Sequence, residues 1–353
     1  MGETDGRHLR RLTSLRWFAA VAVFVSHIGA QPHGPASLRH LGAVSVSFFF
    51  VLSGFALTWS ARSTDSATVV WRRRFARIYP ATAATMLLGL AGWAIAVPHC
   101  DIPSLWAFVA GMLLIQSWFP DWSVASVGPG VTWSLACEAF FYLVLPLLVR
   151  VARRYPRYTT WATVAAFLVS WVARENGAPY FNPLVRLPEF AIGICLATAM
   201  LNGWRPKLPT AAGWLMLVAG SFLSAILGLS VLAASLPGVV LLIATSARSD
   251  LDHRGGWLTS RPLVYLGKLS FCFYLMHPLV MRIVLIDPRT FGGNTSTTAL
   301  AVLGSIGFIG TIAAAAALHH GFELPMQRRI LRNHSTTTRP IILAPDPLPA
   351  SAA

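Results

Sequence analysis

Apolar runs of helix-spanning length recur along the whole chain, separated by short polar breaks. They lie at 12–30, 41–59, 79–97, 102–119, 131–149, 159–174, 183–202, 211–229, 230–247, 263–286 and 298–318. Each carries few charges and approaches the roughly 20 residues a helix needs to cross a hydrocarbon layer. The pattern predicts an all-α, polytopic transmembrane helical bundle. Arginine-rich breaks set its orientation, because basic loops stay on the cytoplasmic side. The N-terminal Arg7, Arg10 and Arg11, the 60–78 break with Arg62, Arg72, Arg73, Arg74 and Arg77, and the 150–158 break with Arg150, Arg153, Arg154 and Arg157 all belong there. Three runs separate the last two breaks, so one of them must fail to cross. The run at 102–119 is the choice, since "PHCDIP" before it and "FPDWSVASVGPG" after it contain no Lys or Arg. A re-entrant helix packed within protein restores the parity. The expectation is ten spans plus that re-entrant helix, with both termini cytoplasmic. Residues 1–334 form one domain, and the Thr-, Pro- and Ala-rich 335–353 a disordered tail.

Composition agrees with a bilayer protein. The chain is 55% hydrophobic and 12% charged, against roughly 25% charged in soluble domains, and its mean hydropathy is +0.59. The expected location is the plasma (inner) membrane, multi-pass, with lipid as one partner. The net charge of +15 does not indicate nucleic acid, because the cations cluster between apolar runs. The N-terminus also has the basic, apolar and small-residue order of a cleavable leader, but the apolar runs that follow make it the first span. Cys100, Cys137, Cys195 and Cys272 have no paired spacing, so small buried side chains are expected and no metal site.

Ionisable residues within such runs are costly and therefore candidate functional groups. They include Arg16, His27, Glu138, Glu189, Lys268, His277 and Arg282. Arg16 and His27 lie eleven positions apart, close to three helical turns, so they share one face with a rise of roughly 16 Å. Spacing alone leaves two readings open: a functional pair, or a snorkelling Arg and a hydrogen-bonded bundle His. Glu138, counted from the start of its run, belongs in the outer half at the depth of His27. That makes His27 its natural partner. Glu189 follows Arg186 by three residues, which suggests an ion pair. His277 precedes Pro278 and either lines a cavity or caps a carbonyl that the proline frees. Glu323 is expected to pair with an arginine of the 60–78 break. In "WRRRFARIYP", Arg74 and Arg77 would face the same way and offer phosphate a pair of guanidinium forks.

Taken together and in order, "LRWFAAVAVFVSH", "SVSFFFVLSGFAL", "RRRFARIYP", "TWSLACEAFFYLVLPLL", "LVYLGKLSFCFYLMHP" and "FELP" resemble the acyltransferase type 3 family of bacterial integral-membrane O-acyltransferases. The resemblance covers residues 12 to about 330. It implies transfer of an acyl group, commonly acetyl, from cytoplasmic acyl-CoA to a carbohydrate hydroxyl. Acyl-CoA is then a co-substrate and no cofactor is bound. By motif, Arg16, Arg74 and Arg77 match donor-handling arginines, His27 the essential histidine and Glu138 the family's acidic residue. Ser53 and Gly54 match an element of structural or pore-lining role. Trp133, Ser134, Glu189 and His277 join them as candidate cavity-lining positions. Two departures are Phe271, where the family often has Tyr, and Ala139, where it often has a charge. No hydrolase-like domain follows the bundle, so this chain is expected to deliver the acyl group itself or hand it to a partner.

Acceptors within such a family include polysaccharide sugars, signalling oligosaccharides and macrolides. The Ala- and Arg-rich composition favours the antibiotic-tailoring branch. His27 acts either as general base for direct transfer, the preferred scheme, or as a transient acyl carrier. The competing class is a transporter or flippase with an intramembrane His/Glu proton relay. Inverted repeats would favour it, and no repeat is visible.

Overall fold

A computed structural model describes residues 9–31, 34–61, 65–96, 104–228, 230–284 and 297–332. Among these residues every regular element is helical. The expected tail, Cys100 and the "PHCDIP" break lie outside them. The long helices are α1 (Arg10–Gly29), α2 (His40–Ser60), α3 (Ala67–Ala96), α6 (Trp133–Arg154), α7 (Pro156–Glu175), α8 (Pro183–Leu201), α9 (Thr210–Leu227), α10 (Val231–Leu251), α11 (Arg261–Val284) and α12 (Thr297–Leu318). Short pieces α4 (Leu105–Met112) and α5 (Trp122–Ala125) lie between α3 and α6, and α13 (Leu324–Arg332) ends the described chain.

Ten of the predicted runs are thus long helices. Eight of the helical stretches are long and apolar enough to cross a membrane: α1, α2, α6, α8, α9, α10, α11 and the continuous α12–α13. The remaining two, α3 and α7, carry arginines within the helix, four of them (Arg72, Arg73, Arg74, Arg77) in the first half of α3. The run at 102–119 forms only the eight-residue α4, about 12 Å long. Leu114 takes a left-handed φ of 55° and the Ile115 amide donates to Ala110 O, which turns the chain back. A helix of that length cannot span a bilayer.

Packing centres on α1 and α2. One core joins α1, α2, α8 and α10 through Leu15, Val51, Phe55, Ala197 and Ile243. A second joins α1, α3, α11 and α12 through Ala20, Ala81, Cys272, Phe273 and Ala315. Glycine decides how closely one of these pairs approaches. A Cβ on Gly54 would stand 2.0 Å from Phe190 O, and one on Gly193 2.0 Å from Val51 O. The α2 and α8 backbones therefore touch reciprocally, the small-residue mode of membrane helices. The periphery is apolar: α9 exposes Leu215, Val218, Phe222 and Ile226 on one stripe, a surface suited to lipid rather than water.

Candidate active site

A cavity of about 900 Å³ opens among α1, α2, α3, α6 and α11. Its wall includes Arg16 from α1, Ser53 from α2, Arg73, Arg74 and Arg77 from α3, Glu138 and Tyr142 from α6, and Phe271 from α11. On α2 the lining runs from Ser60 to Phe49, eleven residues and so roughly 16 Å deep. Its mouth lies beside the start of α1, the end of α2 and the basic start of α3. Arg73 is paired with Asp65 at 3.0 Å and Arg77 with Glu323. Among the described residues no carboxylate lies within 4.0 Å of Arg16 or Arg74. The cavity therefore holds cationic charge that its own acid, Glu138, only partly offsets, and is suited to a multiply charged anion.

Glu138 does not sit beside His27. It accepts from Tyr142 Oη at 3.0 Å, and Tyr142 in turn lies 3.4 Å from Ser53 Oγ. The displacement has a local cause: α6 does not start at a surface. Val131 through Cys137 are all buried, Thr132 Oγ1 donates to Val127 O, and Ser117 Oγ donates to Trp133 O. The first turn is thus held inside the protein, one turn of depth is lost, and Glu138 falls on the arginine side.

His27, half-buried in the last turn of α1, has a different neighbour. Its ring centroid lies 4.9 Å from that of His277 on α11. Between the histidines and the cavity lies an apolar layer of Val23, Val131 and Tyr274, with Phe49 packed against it. The face of α1 from Arg16 to His27 is filled by Ala20 and Val23, both buried. On α11 the matching sequence is Phe271 at the cavity, Tyr274 in the layer and His277 beyond. The two helices run side by side, with Gly267 of α11 against Thr13 O of α1 and Trp17 edge-on to Phe273 at 4.9 Å.

The other candidate lining positions have other places. Of Ser53, Gly54, Trp133, Ser134, Glu189 and His277, Ser53 lines this cavity. Gly54 is taken up by the α2–α8 crossing. Trp133 packs on Phe50 and Tyr180. Ser134 lies 2.8 Å from Tyr274 Oη and so fixes the layer. Glu189 pairs with Arg186 at 3.0 Å, as expected, and also with Arg174 at 3.5 Å. Arg186 is fully buried under Phe50 and Tyr180, so this cluster is a separate ionic core.

Sequence reasoning missed what surrounds Glu323. Residues His319–Glu323 form one turn of π-helix between α12 and α13, a feature that often marks functional positions. Glu323 accepts from His319 Nδ1 at 2.5 Å and from Cys272 Sγ at 3.0 Å, and pairs with Arg77. Cys272 is therefore a hydrogen-bond donor, not simply a small apolar filler. The three side chains could each offer a metal one ligand, their ligand atoms lying within 4.8 Å of one another. The Arg77 guanidinium on the same carboxylate opposes a cation there and favours the hydrogen-bonded arrangement. Tyr142 was also missed, although its i+4 position from Glu138 is a readable signal.

A family model described as "Acyltransferase domain" matches residues 9–320. The chain belongs to this acyltransferase family. Over 377 aligned positions it is 36% identical to Acyltransferase MdmB of Streptomyces mycarofaciens, covering 96% of this chain and 95% of that protein. Nodulation protein 10 of Rhizobium leguminosarum bv. viciae is 25% identical, over 79% of this chain and 85% of its own length. The O-acetyltransferase OatA of Staphylococcus aureus is 23% identical over 78% of this acyltransferase, which spans 51% of OatA. No solved structure matches the acyltransferase chain.

Proposed function

We propose that this acyltransferase resides in the plasma membrane and moves an acyl group, acetyl in the first instance, from cytoplasmic acyl-CoA to a hydroxyl of a carbohydrate or glycosylated secondary metabolite such as a macrolide. The observation that carries the reading is the cationic cavity, with Arg16 and Arg74 free of ion pairs among the described residues and Arg16 on the same helix, α1, as His27. The names of the relatives support acyl transfer, and that of OatA supports acetyl transfer to oxygen. In this scheme the donor's phosphates are held by Arg16, Arg74 and Arg77. Its flexible arm carries the thioester past Phe49 and Tyr274 toward His27, along the roughly 16 Å that separates Arg16 from His27 on one helix face.

The chemistry then balances around one imidazole. The acceptor hydroxyl gives its proton to the unprotonated His27 nitrogen while its oxygen bonds to the thioester carbonyl carbon. The tetrahedral oxyanion re-forms the carbonyl, the carbon–sulfur bond breaks, and the departing thiolate takes the proton from the His27 imidazolium. The Val23, Val131, Phe49 and Tyr274 layer keeps water from competing for the thioester. Glu138 and Tyr142 line the donor cavity and shape it rather than drive His27.

Equilibrium binding of acetyl-CoA to the purified protein in lipid nanodiscs tests the donor assignment. Loss of a charge-assisted hydrogen bond is worth about 1.5–3 kcal/mol, so Arg16→Ala and Arg74→Ala should each weaken binding about tenfold or more. Unchanged affinity in both variants would contradict the assignment. Movement of solute across liposomes without any use of acetyl-CoA would instead favour a transporter.

A further inference from the structure

Resting on the reading of His27 as base, we propose that His277 is the positioning residue that holds His27 in one tautomer. His277 accepts a hydrogen bond from a His27 ring N–H and leaves the opposite His27 nitrogen unprotonated toward the acceptor. The dipeptide His277-Pro278 fixes the first hydrogen bond. In a regular helix Tyr274 O would accept from the amide of residue 278, but proline has no N–H. The freed carbonyl instead accepts from His277 Nδ1 at 2.7 Å. A carbonyl can only accept, so Nδ1 carries the hydrogen, and in the neutral ring Nε2 is left with a lone pair. That Nε2 is buried without a hydrogen-bond partner among the described residues.

Leaving an acceptor unmade at zero exposure is costly, and its placement limits what can satisfy it. The His277 ring is stacked on Phe273 at 6.3 Å, with an interplanar angle of 15°. Phe24 meets it edge-on at 6.2 Å. The nearest ring with a polar N–H is His27, centroid to centroid 4.9 Å. Imidazole centroids 4.9 Å apart leave room for a hydrogen bond of ordinary length once a His27 N–H faces His277 Nε2. When His27 takes the acceptor's proton, the same contact stabilises the imidazolium. His277 itself neither gains nor loses a proton. The proline thus fixes the tautomer of His277, and His277 fixes that of His27.

The test uses the full chain in lipid nanodiscs, labelled with nitrogen-15 histidine and read by solid-state NMR. The His27→Ala and His277→Phe variants assign the signals. In the unmodified protein His277 should show a protonated Nδ1 and an unprotonated Nε2, and His27 a single tautomer. His277→Gln places an amide oxygen near the lost Nε2 and should retain the single His27 tautomer. His277→Phe should give two His27 tautomers. Where the Phe variant does not fold, His277→Asn, which keeps only the donor to Tyr274 O, is read the same way. A protonated Nε2 on His277, or one unchanged His27 tautomer in the Phe or Asn variant, would overturn the proposal. Turnover adds a second reading: kcat should fall at least tenfold in the Asn variant with KM unchanged, and recover in the Gln variant. A change in KM alone would mean that His277 merely lines the acceptor's path. Because the spectra need no substrate, they bear on His277 alone, whereas failure of acetyl-CoA binding bears on the acyltransferase chemistry.

Discussion

Glu138 shows how a residue's role depends on where its helix begins. Its distance along the run suggested the depth of His27, yet the buried start of α6 places it among arginines, with Tyr142 as its hydrogen-bond donor. Deleting that donor leaves a buried carboxylate short of one partner, which costs about 1–3 kcal/mol. Tyr142→Phe should therefore lower the thermal midpoint by several degrees and weaken acetyl-CoA binding. An unchanged midpoint and unchanged affinity would show that the bond contributes nothing. The Arg16–His27 relation was legible in the sequence because a helix fixes both face and rise. The His27–His277 proximity was not, since nothing in one sequence says which helix lies alongside α1. His277 donates to the Tyr274 carbonyl that Pro278 frees, the capping contact that its place before a proline suggested.

At the scale of elements, two junctions carry the site. The π-turn between α12 and α13 brings His319 and Glu323 onto the same side as Cys272 and Arg77. Glu323→Ala removes the carboxylate that Arg77, His319 and Cys272 share. Arg77 then loses its partner while the helical content stays the same. Circular dichroism should be unchanged, and acetyl-CoA affinity should fall at least tenfold; retained affinity would mean that the pairing does not orient Arg77 for the donor. The sequence foretold the Glu323–arginine pair but not the π-turn, because a one-residue irregularity leaves the apolar pattern intact. The other junction is the α2–α8 crossing. Gly193→Val would drive a side chain into the Val51 carbonyl. The helices must then part, and the variant should be recovered at low yield or with a sharply lowered midpoint. A variant as stable as the parent would contradict the crossing.

For the molecule as a whole, hydropathy was enough to place ten long helices, because lipid-facing and core-facing sides are both apolar and only charge and length end a run. It was not enough to define α4, whose return at Leu114 rests on a backbone conformation that composition does not record. The assembled bundle separates two chemistries by one apolar layer, with arginines below and two histidines above. That division gives the account its central claim: an anionic donor enters at one end of α1 and reacts at the other. The most direct measurement supplies purified protein with acetyl-CoA labelled in the acetyl group, together with macrolide and glycan hydroxyl acceptors, and follows the label by mass spectrometry. Labelled ester is expected with the unmodified protein, and a loss of about 100-fold or more in His27→Ala while acetyl-CoA binding persists. Labelled ester formed equally well by His27→Ala would contradict it.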